Sequence, residues 1–193
     1  MKQKSSMIYV VVCILVGVIL VAVATVINKD TAPRLALNGT ELDLDHLKVS
    51  DLNAAGFHLS NDDGSMPGTS FKEMLSYYLG DDRNLSMGGV SVLNRRNSQT
   101  PYADCNVFEI TAKAMDKDGN LTGLQVTYEG VDIFGMTKEE LISILGEPED
   151  QTVNNELIYR SPKKRYKITL TIDNDTNTCY RIRIDRKEEN LVR

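Results

Sequence analysis

Near its C-terminus the chain carries two stretches in which apolar and polar residues alternate one for one. In the first, Tyr166, Ile168, Leu170 and Ile172 alternate with Lys167, Thr169 and Thr171. In the second, Cys179 to Asp185, Tyr180, Ile182 and Ile184 alternate with Arg181 and Arg183. Successive side chains of a strand point to opposite faces, so such a stretch cannot be a helix that hides one stripe. It predicts antiparallel strands with one apolar face that a helix must cover and one polar face left to water. Asp173 to Asn177 is the hairpin loop between them, and Glu156 to Arg160 reads as a third strand.

A helix signal precedes these strands. Thr137 stands three residues before Glu140, the spacing of a capping box in which each side chain satisfies a backbone N–H near the other. Met136 and Leu141 flank it, and Leu141, Ile144 and Leu145 are expected to form its apolar face. Gly146 suits the left-handed residue after a helix, and Pro148 prevents resumption.

The earlier part of the chain is less regular. Leu35 to Leu37, Asn38-Gly39-Thr40 and Glu41 to Leu44 predict strand, turn and strand. Ser50 is a candidate cap for a short helix, Asp51 to Ala55, ending at Gly56. Residues 71–93 support two readings. Phe71, Met74, Leu75, Tyr78 and Leu79 have helical spacing, while the tyrosines and a Gly80-Asp81-Asp82 turn before Leu85 to Leu93 fit a hairpin. Cys105 to Ala112 is strand-like, and Leu121 to Tyr128 is expected to return along it after a turn at 116–120.

At the other end, Met7 to Ile27 is an apolar run of 21 residues without a charge. As a helix it measures about 31 Å, close to the hydrocarbon core of a bilayer. Lys2 and Lys4 precede it, and Ala22-Val23-Ala24 offers a cleavage site after Ala24. The run exceeds the usual signal core, so an uncleaved signal anchor is the preferred expectation. The head, 1–6, is then cytoplasmic and the body extracytoplasmic, a single-pass protein of the cell membrane. Cys13 lies inside the run after Val12, where a lipobox would need a small residue. The organisation expected is a head at 1–6, an anchor at 7–27, a β-rich part at 28–130, a helix with three strands at 131–186, and a tail at 187–193. The fold class is α+β: a single N-terminal transmembrane helix, then a mainly antiparallel β ectodomain with a few short helices packed on the sheet.

Gly135-Met136-Thr137-Lys138-Glu139-Glu140-Leu141, then Leu145-Gly146-Glu147-Pro148 and a Tyr-bearing strand with a hairpin, resembles the SmpA/OmlA (BamE-like) module, related in fold to the β-lactamase-inhibitor-protein domain. The likeness covers about 131–185. It implies an envelope protein that binds other proteins and does no chemistry. The rest is similar to uncharacterised anchored proteins of Gram-positive bacteria. No functional residue transfers position by position.

Charge is unevenly shared. Residues 30–156 hold 9 Lys and Arg against 22 Asp and Glu, whereas 157–193 hold 10 against 5. The whole chain has a formal charge of -5, and with an extracytoplasmic placement this argues against a nucleic-acid partner. The basic end favours an envelope protein or an anionic wall polymer, with lipid contacted through 7–27. Lys167, Thr169, Arg181 and Arg183 are the candidate contact residues, because their apolar neighbours are committed to the core.

Other chemistry finds little material. Asp116-x-Asp118-x-Asn120 and Asp173-x-Asp175-x-Asn177 lack the Gly and Glu of a calcium loop and read as turns. His46 and His58 are the only histidines, and no nucleophile frame accompanies them. Gly88-Gly89 reads as a bulge before it reads as a phosphate cradle. Cys105 and Cys179 are candidates for a disulfide; no Cys-x-x-Cys is present. No catalytic, cofactor or metal residue is assigned. Two alternatives to a binding module stay open: a cell-envelope hydrolase working through two converging carboxylates, and a structural accessory domain.

Overall fold

Across the two alternating stretches, Thr169 stands opposite Arg183 and Leu170 opposite Ile182. The same pairing governs most of the molecule, a computed structural model describing residues 31–60, 64–68, 71–79, 86–94, 96–115 and 119–187. The elements are β1 (Leu35–Leu37), β2 (Thr40–Leu42), α1 (Val49–Ala54), β3 (Phe57–Leu59), β4 (Ser65–Met66), β5 (Phe71–Leu79), β6 (Gly88–Asn94) and β7 (Thr100–Pro101). A single 3-10 turn at Tyr102–Asp104 leads into β8 (Asn106–Lys113), β9 (Val126–Tyr128), β10 (Val131–Asp132) and α2 (Lys138–Leu145). The chain continues through β11 (Asp150–Gln151), β12 (Glu156–Arg160), β13 (Tyr166–Ile172) and β14 (Cys179–Arg186).

Eight strands form one sheet in the order β11-β12-β13-β14-β8-β6-β5-β3. Every pair in it is antiparallel. A four-stranded sheet, β10-β9-β1-β2, and the small β4-β7 ladder accompany it. The hairpin reading of 71–93 is the correct one: β5 and β6 pair from Phe71↔Asn94 to Tyr77↔Gly88. Gly88 is no bulge. A Cβ there would meet the Thr111 carbonyl oxygen at 1.9 Å and the Tyr77 hydroxyl at 2.7 Å, so the glycine makes room for the Tyr77 ring. The bulges fall at Phe108, opposite Ser91 and Val92, and at Tyr180, opposite Thr171 and Ile172.

Alternation sorts the large sheet into two faces. Ile110, Leu170, Ile182, Ile184, Leu75 and Val90 are buried on the inner face. Leu35, Leu37, Leu42, Val126 and Tyr128 of the small sheet belong to the same apolar cluster. The cover on the inner face is therefore mainly the second sheet, not the helix expected from the alternation. Leu121 to Tyr128 does not return along β8 as expected; apart from one Met115↔Leu121 bridge, it leaves to pair with β1 and β10. Asn38 and Gly39, both with positive φ, make the tight turn that joins β1 to β2.

The two helices are short covers. In α1 the Lys48 backbone N–H donates to Asp51 at 2.8 Å, so the cap is formed by Asp51 and Ser50 plays no part. In α2 the capping box is formed: the Thr137 N–H donates to Glu140 at 2.8 Å and the Glu140 N–H to Thr137 Oγ1 at 3.3 Å. Leu141 is fully buried and Ile142 and Leu145 are partly buried, whereas Ile144 is 55% exposed and does not join the apolar face.

The fold class needs correction. The described fold is mainly antiparallel β, with two α-helices of six and eight residues. Among the described residues no helix is long and apolar enough to cross a membrane. The longer, α2, measures about 12 Å, well short of the ~30 Å that spanning requires. The described fold therefore contains no transmembrane helix. The segments 1–6 and 7–27, with Cys13 and Ala24, and all but Lys187 of the tail, lie outside the described residues.

Candidate functional site

The outer face of the large sheet carries the polar half of the alternation. The central row across it runs Ser76, Gly89, Thr111, Arg183, Thr169, each opposite the next on neighbouring strands. A second row holds Ser91, Glu109, Asp185, Lys167 and Arg160. A third holds Lys113, Arg181, Thr171 and Glu156. Most of these residues line an open trough of about 330 Å³, within the range of small-ligand sites. Lys167, Thr169, Arg181 and Arg183, the four residues proposed from alternation alone, all line it.

Several polar side chains on this face are buried. Thr169, Thr171, Ser91 and Glu109 are each exposed by 9% or less. Their long neighbours and the curvature of the sheet provide the cover. Twist of a wide antiparallel sheet makes such a concavity, and only residues two apart on each strand reach it.

The arginines are held by carboxylates. Arg183 Nη2 contacts Glu109 Oε2 at 3.1 Å and Asp185 Oδ1 at 2.8 Å, and its Nε donates to Asp185 at 3.0 Å. Arg181 Nε donates to Thr171 Oγ1 at 3.0 Å and Nη2 to Glu156 at 3.3 Å. Burial raises the Glu109 carboxyl above the ordinary range; the Arg183 guanidinium pulls it down, and neighbouring Asp185 pushes it up again. The ammonium groups of Lys113 and Lys167 make no ion pair or hydrogen bond among the described residues. The trough therefore has two unneutralised cations, while its acids are spent on arginines.

Carboxylate hydrolysis needs two acids about 5–9.5 Å apart. Glu109 and Glu156 both line the trough, yet their strands stand three spacings apart and four residues out of line. Their Cα atoms are roughly 20 Å apart. Glu109 and Asp185 are direct cross-strand neighbours, but both face Arg183.

The two cysteines are not bonded to each other. Both are free and buried. Arg181 of β14 lies level with Lys113 at the far end of β8, so Cys179 and Cys105 sit at opposite ends of the paired strands. Seven or more strand residues separate their levels, roughly 20 Å or more, whereas a disulfide needs Cα atoms within about 7 Å. Cys179 is 1% exposed, not on the Arg181 face, because the bulge at Tyr180 turns it inward opposite Ile172. Burial raises its thiol to about 12.

The other candidates resolve locally. Asp173 accepts from the Asp175 and Thr176 N–H groups at 3.0 and 2.9 Å, an Asx turn. These bonds hold its carboxyl below the usual range. His46 contacts exposed Asp43 at 3.0 Å, and His58 stands in β3 opposite Tyr78. Among the described residues no group of three or more His, Cys, Asp or Glu is placed to hold a metal. Residues 116–118 of the turn at 116–120 lie outside the described residues.

Sequence reasoning missed Lys113, Glu109 and Glu156 as parts of this face. Lys113 and Glu109 share the two-residue period of β8 with Thr111, but nothing local places β8 beside β14. The chain matches no family model, no curated protein and no solved structure.

Proposed function

We propose that this protein is a non-enzymatic binding module that receives an anionic partner on the open face of its large sheet. The observation that carries the reading is Lys113 and Lys167, two cations whose side chains have no partner among the described residues, at the rim of a polar concavity in a chain that is acidic overall. Placing unpaired positive charge over a low-dielectric floor focuses the field there and attracts negative ligands. Arg181 and Arg183, held in fixed orientation by their carboxylates, add directed donors. The resemblance read in the sequence of 131–185 to the SmpA/OmlA module, a group that mostly binds proteins, fits a binding role.

Retention of the full chain on immobilised heparin at low salt tests the reading. A protein of formal charge -5 is retained only if a cationic patch acts locally. Lys113→Glu with Lys167→Glu should abolish retention while thermal stability is kept, since neither side chain bonds to the fold. Equal retention of this double variant overturns the reading.

A second reading, hydrolysis by carboxylates, is favoured by one observation, the raised Glu109 carboxyl beside Asp185. It requires Arg183 to release both acids. Glu109→Gln abolishing turnover of a glycan or ester panel would support it, and an inactive parent protein would end it.

A further inference from the structure

We propose that the ligand of this face is a linear phosphate polymer lying diagonally across the trough from Lys113 to Lys167, an inference that rests on the anionic-partner reading above. The two lysines are two strand spacings apart across the sheet and four residues apart along it. That puts their Cα atoms roughly 16 Å apart. A chain of repeated charges can lie along that diagonal and meet both.

The line between them passes over the central row, where Thr111 and Thr169 offer hydroxyls and Arg183 a guanidinium. Gly89 leaves the floor of that row without a side chain. Phosphate oxygens accept from all of these groups, and a repeating chain presents an acceptor wherever a donor falls. A peptide partner would need an apolar anchor in a desolvated pocket. The trough offers only Met74, 68% exposed, at its edge. The hydroxyl-rich floor and the rim cations therefore favour a phosphate chain over an acidic peptide.

Glu109 and Glu156 do not defeat this arrangement, because each already faces an arginine. They leave the net attraction at the two ends of the diagonal. The two ends then act as linked sites, and a ligand long enough to reach both gains avidity that a short one lacks.

The test is calorimetric titration of the full chain with orthophosphate, long-chain polyphosphate and poly-glutamate. Polyphosphate should bind, and orthophosphate should bind at least about tenfold more weakly per site, the signature of a bridged pair. Lys113→Ala and Lys167→Ala should each lower polyphosphate affinity by about tenfold, the effect of losing one end. Unchanged melting temperatures of both variants exclude misfolding as the cause. Poly-glutamate binding as well as or better than polyphosphate overturns the phosphate assignment and leaves the anionic-partner reading standing. Polyphosphate binding that ignores either lysine overturns the diagonal. Binding of neither polymer overturns both.

Discussion

The Tyr77 hydroxyl donates to the Thr111 carbonyl at 2.8 Å, crossing the strand between them at Gly88, which has no side chain. Tyr77 is fully buried and stacks edge-on against Phe57 at 5.6 Å, so the bond locks β5, β6 and β8 from the core side. Gly88→Ala should destabilise by about 2 kcal/mol or more, because the added carbon must displace backbone. Tyr77→Phe should cost about 1 kcal/mol, the net worth of one hydrogen bond. Urea unfolding of both variants checks the order: if Gly88→Ala is the milder of the two, the close-approach account is wrong.

Glu109 should make stability fall as pH rises. Burial lifts its folded pKa above the ordinary 4.5, so the protonated form favours folding. That contribution is fully present below about 4.5 and is lost as pH climbs through the folded value. Glu109→Gln should therefore gain on the parent protein progressively as pH rises from 4 toward 7. Parallel stability curves for the two proteins over that window would contradict the assignment.

Arg186 pins the loop after β2 to the end of β14. It is 7% exposed, and its Nη1 donates to the Leu44 carbonyl at 2.8 Å and also to that of Asp45. Asp45 in turn accepts from Tyr166 at 2.6 Å and pairs with Arg165 at 2.6 Å. Arg186→Met should cost about 2–4 kcal/mol, since two carbonyls lose their partner. Hydrogen exchange should speed up first around 44–47; exchange that rises uniformly along the chain would show that the loop is held by something else.

The thiols offer a simple readout. Cys105 and Cys179 are free, buried and raised in pKa by burial. Both should resist alkylation at neutral pH in the folded protein and react once it is denatured. Identical migration with and without reductant is expected; a shift that reductant abolishes would mean that the strands pair in another register.

Periodicity alone determined much of this protein. The alternation of 166–172 and 179–185 set which side chains face the core and which reach the trough, because a strand has no other way to arrange them. Thr137, Glu140 and Gly146 marked the ends of α2, because a cap is a contact between residues three apart. Asn38-Gly39 marked a hairpin for the same reason of locality. Only the tertiary structure decided what lies beside what. That β14 pairs with β8, bringing Lys113 and Glu109 to Arg181 and Arg183, depends on contacts about 70 residues apart that carry no local signature. The helical spacing of 71–79 lost to pairing with β6, since a buried sheet edge must satisfy every backbone group. Ile144 stands outside the apolar face of its helix, and the extra residue Tyr180 turns Cys179 inward. In each case one neighbouring element, or one extra residue in a strand, redirected a side chain that its own sequence left undetermined.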